Sequence, residues 1–336
     1  MIRISFLVLI LFVSNTAFSA DLKTNKPQIT TILENIKTQQ GYPGISLAVS
    51  FDGEIYTDTI GYANISEKKS INSETIFRIY SLTKGLTDIL SNILVENDTL
   101  ILDTPIKSYL PELPLHLQEI TSQQLLSHRS GIRHYASIDE WLRLSQNHCS
   151  TPSDAYAPFY NDPLVSEVGT KENYSSFGYV LLSGVLEAAT GESFINLMNT
   201  NIIEPSGSER VEFDNPERNM SQNVTKYYEL SNGKYIEAIS IDNSCKFGGG
   251  AINSTPTDIA KIFNSYFSGS LTNKNFFQVA SSLPNRLSLS GEGLGGRSAL
   301  VAYPKEKLTV VIMANARGGN LQPYANEIAE QILANK

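Results

Sequence analysis

A tight-turn signal near the start of this 336-residue chain constrains its fold more than any other feature. Residues 45–51 and 54–60 are rich in β-branched and aromatic side chains, and they flank the pair Asp52-Gly53. Asp-Gly suits the two-residue turn that joins neighbouring antiparallel strands. The segment therefore predicts a β-hairpin close to the N-terminus.

The other end of the chain repeats this pattern. Residues 298–303 and 307–314 predict a second hairpin around a turn that begins with Pro304, and residues 322–333 have the apolar spacing of a helix. Residues 27–40 have the same helical spacing ahead of the first hairpin. We expect the two ends to pair into one antiparallel sheet that the terminal helices cover.

These elements predict an α+β fold, an α/β sandwich with a mostly helical insertion. The sheet lobe is expected at about residues 27–80 and 250–336, and the helical lobe at about residues 81–249. Together they would form one domain over residues 21–336. No repeat or low-complexity stretch argues for a different organisation.

The first 20 residues predict a signal peptide. Arg3 precedes an apolar run at residues 6–13, and small residues follow at residues 17–20. The run is too short for a transmembrane helix, which needs about 20 residues. We therefore expect an exported protein, secreted or in a bacterial periplasm, with no stable membrane span. With a net charge of −8 and no Lys/Arg cluster, nucleic acid is excluded as a partner class.

Two cysteines, Cys149 and Cys245, could form a disulfide in an oxidising compartment, but sequence alone leaves their pairing open. Neither has the spacing of a metal ligand. The four histidines form no paired set such as H-E-x-x-H. We therefore expect no metal site and no cofactor.

Ser81 and Lys84 are the candidate nucleophile and its base. The stretch SLTKGLTDILSNILV, residues 81–95, has helical apolar spacing, with Ser81 where the helix would begin. Residues three apart share a helix face, the helix N-terminus favours an oxyanion, and a desolvated Lys can accept a Ser proton. The alternative is that Ser81 only caps the helix and Lys84 is solvated.

The run Leu-Leu-Ser-His-Arg-Ser-Gly at residues 125–131 favours the catalytic interpretation of Ser81 and Lys84. With it, the chain resembles the serine β-lactamase-like family, which includes class C β-lactamases, D-alanyl-D-alanine carboxypeptidases and related esterases and peptidases. His128 within the run is expected to anchor backbone rather than to act as a base.

In that family a Tyr-x-Asn element supplies the general base at the start of a helix. Tyr174 matches its Tyr, and Ser176 stands where Asn is usual. The phenol serves as a base only if a neighbouring cation stabilises the phenolate, and Lys84 is the available one. Ser176 is expected to hydrogen-bond a substrate amide or Lys84. The alternative is that Tyr174 is a buried aromatic residue ahead of a helix cap.

Two glycine-rich runs follow. DNSCKFGGG, residues 242–250, is similar to an element of the mitochondrial β-lactamase-like serine peptidase branch, and its glycines permit close approach to a ligand or another strand. The second run, SLSGEGLGGRS, begins at residue 288 and resembles the family's last element, with Ser290, Gly291 and Glu292 lining the site. The N–H of Glu292 would join that of Ser81 as the oxyanion hole.

The last element departs from the family pattern, because neither Leu289 nor Ser290 is the usual Lys or His. A second cation is therefore absent unless Arg286 or Arg297 reaches the site. The resemblance still implies a serine hydrolase that acts on a small-molecule or peptide substrate, with amide or lactam cleavage ahead of ester cleavage. A catalytically impaired binding protein and a non-catalytic scaffold stay open, as does the oligomeric state.

Overall fold

The computed structural model describes residues 18–215, 223–272, 282–283 and 285–335, without the side chains of residues 18–24, 282 and 283. The predicted signal peptide lies outside the described residues as far as residue 17. The helices are α1 Phe18–Gln40, α2 Thr83–Glu96, α3 Leu115–Gln118, α4 Ser122–Leu126, α5 Ile138–Leu144, α6 Ser176–Thr190, α7 Phe194–Met198, α8 Pro256–Phe267 and α9 Gln322–Ala334. The strands are β1 Gly44–Phe51, β2 Glu54–Asn64, β3 Lys69–Ser70, β4 Phe77–Arg78, β5 Val211–Phe213, β6 Tyr228–Ser231, β7 Lys234–Glu237, β8 Ile252–Ser254, β9 Ser282–Leu283, β10 Arg286–Gly293, β11 Gly296–Tyr303 and β12 Leu308–Ala314.

The two chain ends form one antiparallel sheet, as predicted. Its order is β3-β2-β1-β12-β11-β10-β9, so β1 from the N-terminal end pairs directly with β12 from the C-terminal end. Asp52 and Gly53 both adopt positive φ, 47° and 90°, as the tight turn between β1 and β2 requires. The α+β fold class is confirmed.

Alternation along β1 divides the core between the two sheet faces. Leu47 and Val49 pack into a cluster with α1 and α9, whereas Ala48 points to the other face and joins a larger cluster with α2 and α8. Side chains of a strand alternate between faces, so both faces of β1 are buried. The helix predicted at residues 27–40 begins earlier, at Phe18, and continues through Pro27.

The segment between β4 and β8 places helices α2 to α7 beside this sheet. It also contains β5, which pairs with β8, and the separate hairpin of β6 and β7. The buried pair of Arg78 and Asp214, at 3.1 Å, joins β4 to the loop after β5. Arg78 also donates to the Ile241 carbonyl at 2.7 Å, and Asn243 N donates to Asp214 at 2.9 Å. This network ties the start of α2 to the glycine-rich run at residues 242–250.

Candidate active site

Ser81 lies in a short 3-10 turn, Tyr80–Leu82, between β4 and α2. The helix was predicted to begin at Ser81, but α2 begins at Thr83 and Leu82 occupies the cap position, so the alternative that Ser81 only caps the helix is also wrong. The reason is Tyr80, whose φ of 48° turns the chain before the helix starts. A non-glycine residue in this left-handed region costs about 1 kcal/mol, a strain that often marks functional sites.

The glycine-rich strand β10 makes room for this turn. A Cβ at Gly293 would lie 2.1 Å from the ring of Tyr80, and one at Gly291 would lie 2.1 Å from the Ile79 carbonyl oxygen. The Tyr80 hydroxyl donates to the Leu294 carbonyl, and Ser298 Oγ donates to the Ile79 carbonyl at 2.8 Å. The strained turn is therefore held by β10 and β11, which only glycine at these positions permits.

Lys84 is buried, with 2% of its surface exposed, on the first turn of α2. Its Nζ donates to Ser81 Oγ at 3.3 Å, to Ser176 Oγ at 3.0 Å and to the Gly249 carbonyl at 2.7 Å. It also lies 4.8 Å from the centroid of the Tyr174 ring. These three acceptors are neutral oxygens, and no carboxylate among the described residues lies within salt-bridge distance of Lys84 Nζ.

Tyr174 donates from its hydroxyl to Ser81 Oγ at 2.7 Å. Burial raises the pKa of the Tyr174 phenol, but the charge of Lys84 and hydrogen bonds with Lys84, Ser81 and Ser176 outweigh it, and the pKa lies below its usual value. The sequence predicted Lys84 as the cation beside this phenol, and the structure places the Lys84 Nζ against the Tyr174 ring. The surrounding protein desolvates the phenol, yet 46% of the Tyr174 surface is exposed, so it is not an ordinary buried aromatic residue.

Two histidines position the segment that carries Tyr174. Ser175 N donates to His128 Nδ1 at 3.3 Å, and Ser176 N donates to His134 Nδ1 at 3.2 Å. Burial, together with the charge of Lys84, lowers the pKa of His128 to about 3 and that of His134 to about 4. Both are neutral near pH 7, so His128 has the anchoring role predicted for it. Ser176 begins α6 and uses its hydroxyl to accept from Lys84.

The residues of β10 that were predicted to line the site differ in their position relative to Ser81. A Cβ at Gly291 would lie 3.0 Å from Ser81 N, which places the backbone of β10 against the Ser81 amide. Glu292 lines the cleft at Ser81, and Ser290 is exposed on the same face of the strand as Glu292. Leu289 instead packs on α2, where a Cβ at Gly85 would meet it at 2.4 Å.

Neither strand arginine supplies the second cation that the sequence lacks at Leu289 and Ser290. Arg297 bonds to Glu292 at 2.6 Å. Arg286 opens β10 five residues before Gly291, about 17 Å away along the strand.

The cleft at Ser81 has a volume of about 350 Å³, and part of its wall was not predicted. Besides Glu292, its lining includes His134, Tyr135, Trp141, Lys246 and Arg317. Lys246 stood within the glycine-rich run at residues 242–250, and Trp141 is the single tryptophan, but nothing in their spacing indicated that they meet.

The glycines of that run serve close packing against helices. A Cβ at Gly248 would lie 2.6 Å from Thr87 Oγ1 of α2, and one at Gly249 would lie 2.9 Å from the Ser176 carbonyl oxygen of α6. This close approach is what brings the Gly249 carbonyl to Lys84.

The disulfide that the sequence left open is present between Cys149 and Cys245, with their Cα atoms 4.9 Å apart. It fastens the loop after α5 to the segment that carries Lys246 and Gly249.

A family model described as Beta-lactamase matches residues 29–334. The chain belongs to the beta-lactamase family. It is therefore a member of a family of serine hydrolases, and the resemblance to serine β-lactamase-like proteins is confirmed.

Two curated relatives are similar to this chain over about 70% of its length. It is 26% identical to the serine beta-lactamase-like protein LACTB, mitochondrial, of Mus musculus, over 71% of this chain and 56% of that protein. It is 25% identical to penicillin-binding protein 4* of Bacillus subtilis (strain 168), over 72% of this chain and 56% of that protein. The chain thus spans about half the length of the curated relatives it matches.

Solved structures share the beta-lactamase family fold. The octameric penicillin-binding protein homologue from Pyrococcus abyssi has a TM-score of 0.80 and 22% identity, over 93% of this chain and 78% of that chain. The D-amino acid amidase from Ochrobactrum anthropi SV3, complexed with L-phenylalanine amide, has a TM-score of 0.76 and 21% identity, over 92% and 97%. At these identities the structures show the fold alone. In the described part of this chain, no helix is long and apolar enough to cross a membrane.

Proposed function

We propose that the protein is an exported serine hydrolase that forms an acyl-enzyme at Ser81 and cleaves an amide, lactam or peptide bond. The observation that carries the proposal is the convergence of two proton-transfer groups on one hydroxyl. Tyr174 OH lies 2.7 Å and Lys84 Nζ 3.3 Å from Ser81 Oγ. A Ser hydroxyl needs such a neighbour to act as a nucleophile.

In this mechanism Ser81 Oγ attacks the substrate carbonyl carbon while its proton passes to the Tyr174 phenolate, with Lys84 stabilising that phenolate. The lowered pKa of Tyr174 makes the phenolate accessible. The carbonyl oxygen becomes an oxyanion that the N–H groups of Ser81 and Glu292 bind. The tetrahedral species collapses, Tyr174 returns the proton to the leaving amine, and water then releases the acyl group from Ser81.

Amide or lactam cleavage is favoured by what the related structures and proteins are named for. They include penicillin-binding proteins and a D-amino acid amidase. An esterase of the same family is the alternative, because an activated ester needs less help in expelling its leaving group. A catalytically impaired binding protein is less favoured, because the pKa of Tyr174 is lowered without a Lys or His on β10.

Export is supported by the disulfide between Cys149 and Cys245, since such bonds persist in oxidising compartments. The N-terminal signal-peptide pattern in the sequence points the same way.

Intact-mass measurement tests the acyl-enzyme directly. The protein is incubated with a penicillin and, separately, with a fluorophosphonate, beside Ser81→Ala and the exposed control Ser153→Ala. We expect a mass gain equal to the whole penicillin, or to the fluorophosphonate less HF, in the parent chain and in Ser153→Ala, and none in Ser81→Ala. A fluorophosphonate adduct alone would leave an esterase or a peptidase with another pocket. No adduct from either probe would refute the hydrolase.

A further inference from the structure

Lys246 lines the cleft at Ser81 and lies on the 3-10 segment Ser244–Gly249. Its Nζ is 4.1 Å from the centroid of the Trp141 ring, 5.8 Å from that of Tyr135 and 5.7 Å from that of Tyr80. Cations are attracted to aromatic faces at such distances. The ammonium therefore sits in a cage of three rings within the cleft that contains Ser81.

The cage contains two hydrogen-bond donors without acceptors. Among the described residues, Lys246 Nζ has no carboxylate within salt-bridge distance and no hydrogen-bond acceptor, in contrast to Lys84 with its three oxygens. Trp141 Nε1 is buried and likewise has no partner within the described ranges. Buried donors nearly always have an acceptor, so the Trp141 indole N–H requires an explanation, whereas the partly exposed Lys246 ammonium is accessible to a group that enters the cleft.

The charges around the cleft single out Lys246. Arg297 and Arg317 both bond to Glu292, at 2.6 and 3.4 Å, so their charges are partly balanced. Burial among the rings, and then the charges of Lys84 and Arg78, lower the pKa of Lys246 well below its usual value. The chain as a whole carries a net charge of −8, yet the cleft has an excess of cations. An anion bound beside Lys246 would supply the missing counter-charge.

We propose that Lys246 binds an anionic group, a carboxylate, on the substrate that Ser81 cleaves. This inference rests on the proposed function and names its substrate class. A carboxylate carries the counter-charge and the acceptor oxygens that the ammonium lacks. Lys246 comes from the glycine-rich segment after β7, so the anion would be bound by a different element from the strand that carries Ser290 and Glu292. The carboxylate belongs either to the acyl part of the substrate or to its leaving group.

A binding measurement tests this without catalysis. Trp141 is the single tryptophan of the chain, so its fluorescence reports on the cage. In a Ser81→Ala background, the protein is titrated with methyl hydrogen glutarate, which carries one carboxylate, and with dimethyl glutarate, which carries none. We expect a saturable change with the monoanion alone. Lys246→Met should raise the half-saturation concentration at least 10-fold, and Lys246→Arg should recover part of the affinity.

Lys305→Met is the matched control. It removes the same charge from the exposed turn between β11 and β12, at the end of the hairpin away from the cleft. Its half-saturation concentration should equal that of the parent. Equal half-saturation in Lys246→Met and the parent, or no saturable change in the parent, would overturn the proposal. If Lys246→Met does not fold, Lys246→Gln replaces it.

Ester kinetics then show which part of the substrate carries the anion. One pair compares p-nitrophenyl hydrogen glutarate with p-nitrophenyl valerate, which differ in the acyl group. The other compares 4-acetoxybenzoate with 4-acetoxybenzamide, which differ in the leaving group. We expect the ratio of kcat/KM, anionic over neutral, to fall at least 10-fold in Lys246→Met for one pair. Unchanged ratios in both pairs would overturn the proposal, whereas a parent that cleaves none of the four esters would count against the hydrolase while the titration still tests Lys246.

Discussion

His128 should make the protein sensitive to acid in a way that one substitution removes. The side chain is 5% exposed and its φ is 57°, so Asn, which tolerates left-handed backbone and does not titrate, is the replacement that keeps the local geometry. The Oδ1 atom of Asn can also accept the hydrogen bond from Ser175 N. His128→Asn therefore removes the titration with little change of backbone.

The size of the effect follows from the two pKa values. His128 has a pKa of about 3 in the folded protein, against about 6.5 for an unperturbed His in the unfolded chain. Above pH 6.5 both states are neutral and the preference for neutral His128 is fully present. As the pH falls from 6.5, the unfolded chain binds a proton that the folded protein does not, and the free energy of unfolding falls by about 1.4 kcal/mol per pH unit. By pH 4 the loss is about 3 kcal/mol.

Urea unfolding followed by Trp141 fluorescence, with the disulfide intact, measures this at pH 7 and pH 4. We expect His128→Asn to be less stable than the parent at pH 7, because ring contacts with Tyr174 and Tyr179 are lost. The difference in the free energy of unfolding, parent minus variant, should fall by about 3 kcal/mol at pH 4. His134 titrates in both proteins and cancels from the comparison.

The matched control is His116→Asn, the same substitution at an exposed position. A difference for His128→Asn that is the same at both pH values would refute the linkage. It would mean that His128 takes up a proton in the folded protein.

Three further predictions concern the cleft. Tyr174→Phe removes the hydroxyl 2.7 Å from Ser81 Oγ, and stopped-flow acylation should slow by a factor of about 10² to 10⁴; an unchanged acylation rate would exclude Tyr174 as the base. Gly291→Ala places a Cβ 2.1 Å from a backbone oxygen, so thermal unfolding should show a loss of about 1–3 kcal/mol together with lost acylation, whereas Ser288→Ala on the same strand should change neither. Lys246→Met removes a desolvated cation without a counter-charge, so the free energy of unfolding should rise by about 1 kcal/mol, and a marked fall would mean that Lys246 is paired.

The hairpins were predictable because their signals are local. Asp52-Gly53 specifies a turn whatever lies elsewhere in the chain, and the observed positive φ values are the conformation that this pair favours. The start of α2 was not predictable, because the φ of Tyr80 depends on packing against residues that are distant in the sequence. Its ring lies against Gly293, more than two hundred residues along the chain, and no helix propensity encodes that contact.

The residues of the site also divide into those that sequence motifs identified and those that they did not. Ser81, Lys84 and Tyr174 stand in motifs whose spacing or family resemblance identifies them, and the structure brings their polar atoms together. Trp141 and Lys246 stand in separate segments of the insertion, and only tertiary folding brings the ring to the ammonium. The sequence has no Lys or His at Leu289 or Ser290, and nothing in it indicated that Lys246 from another segment would line the same cleft.

The segment Ser244–Gly249 links these two groups of residues. Its Gly249 carbonyl fixes Lys84 at 2.7 Å, and three residues earlier Lys246 occupies the aromatic cage. The disulfide at Cys245 fastens the same segment to the loop that follows α5, the helix that carries Trp141. Any shift of this segment would therefore move Lys84 and the proposed carboxylate site together. Because one short, covalently fastened stretch contacts Lys84 and carries Lys246, we expect variants here to alter KM and kcat jointly.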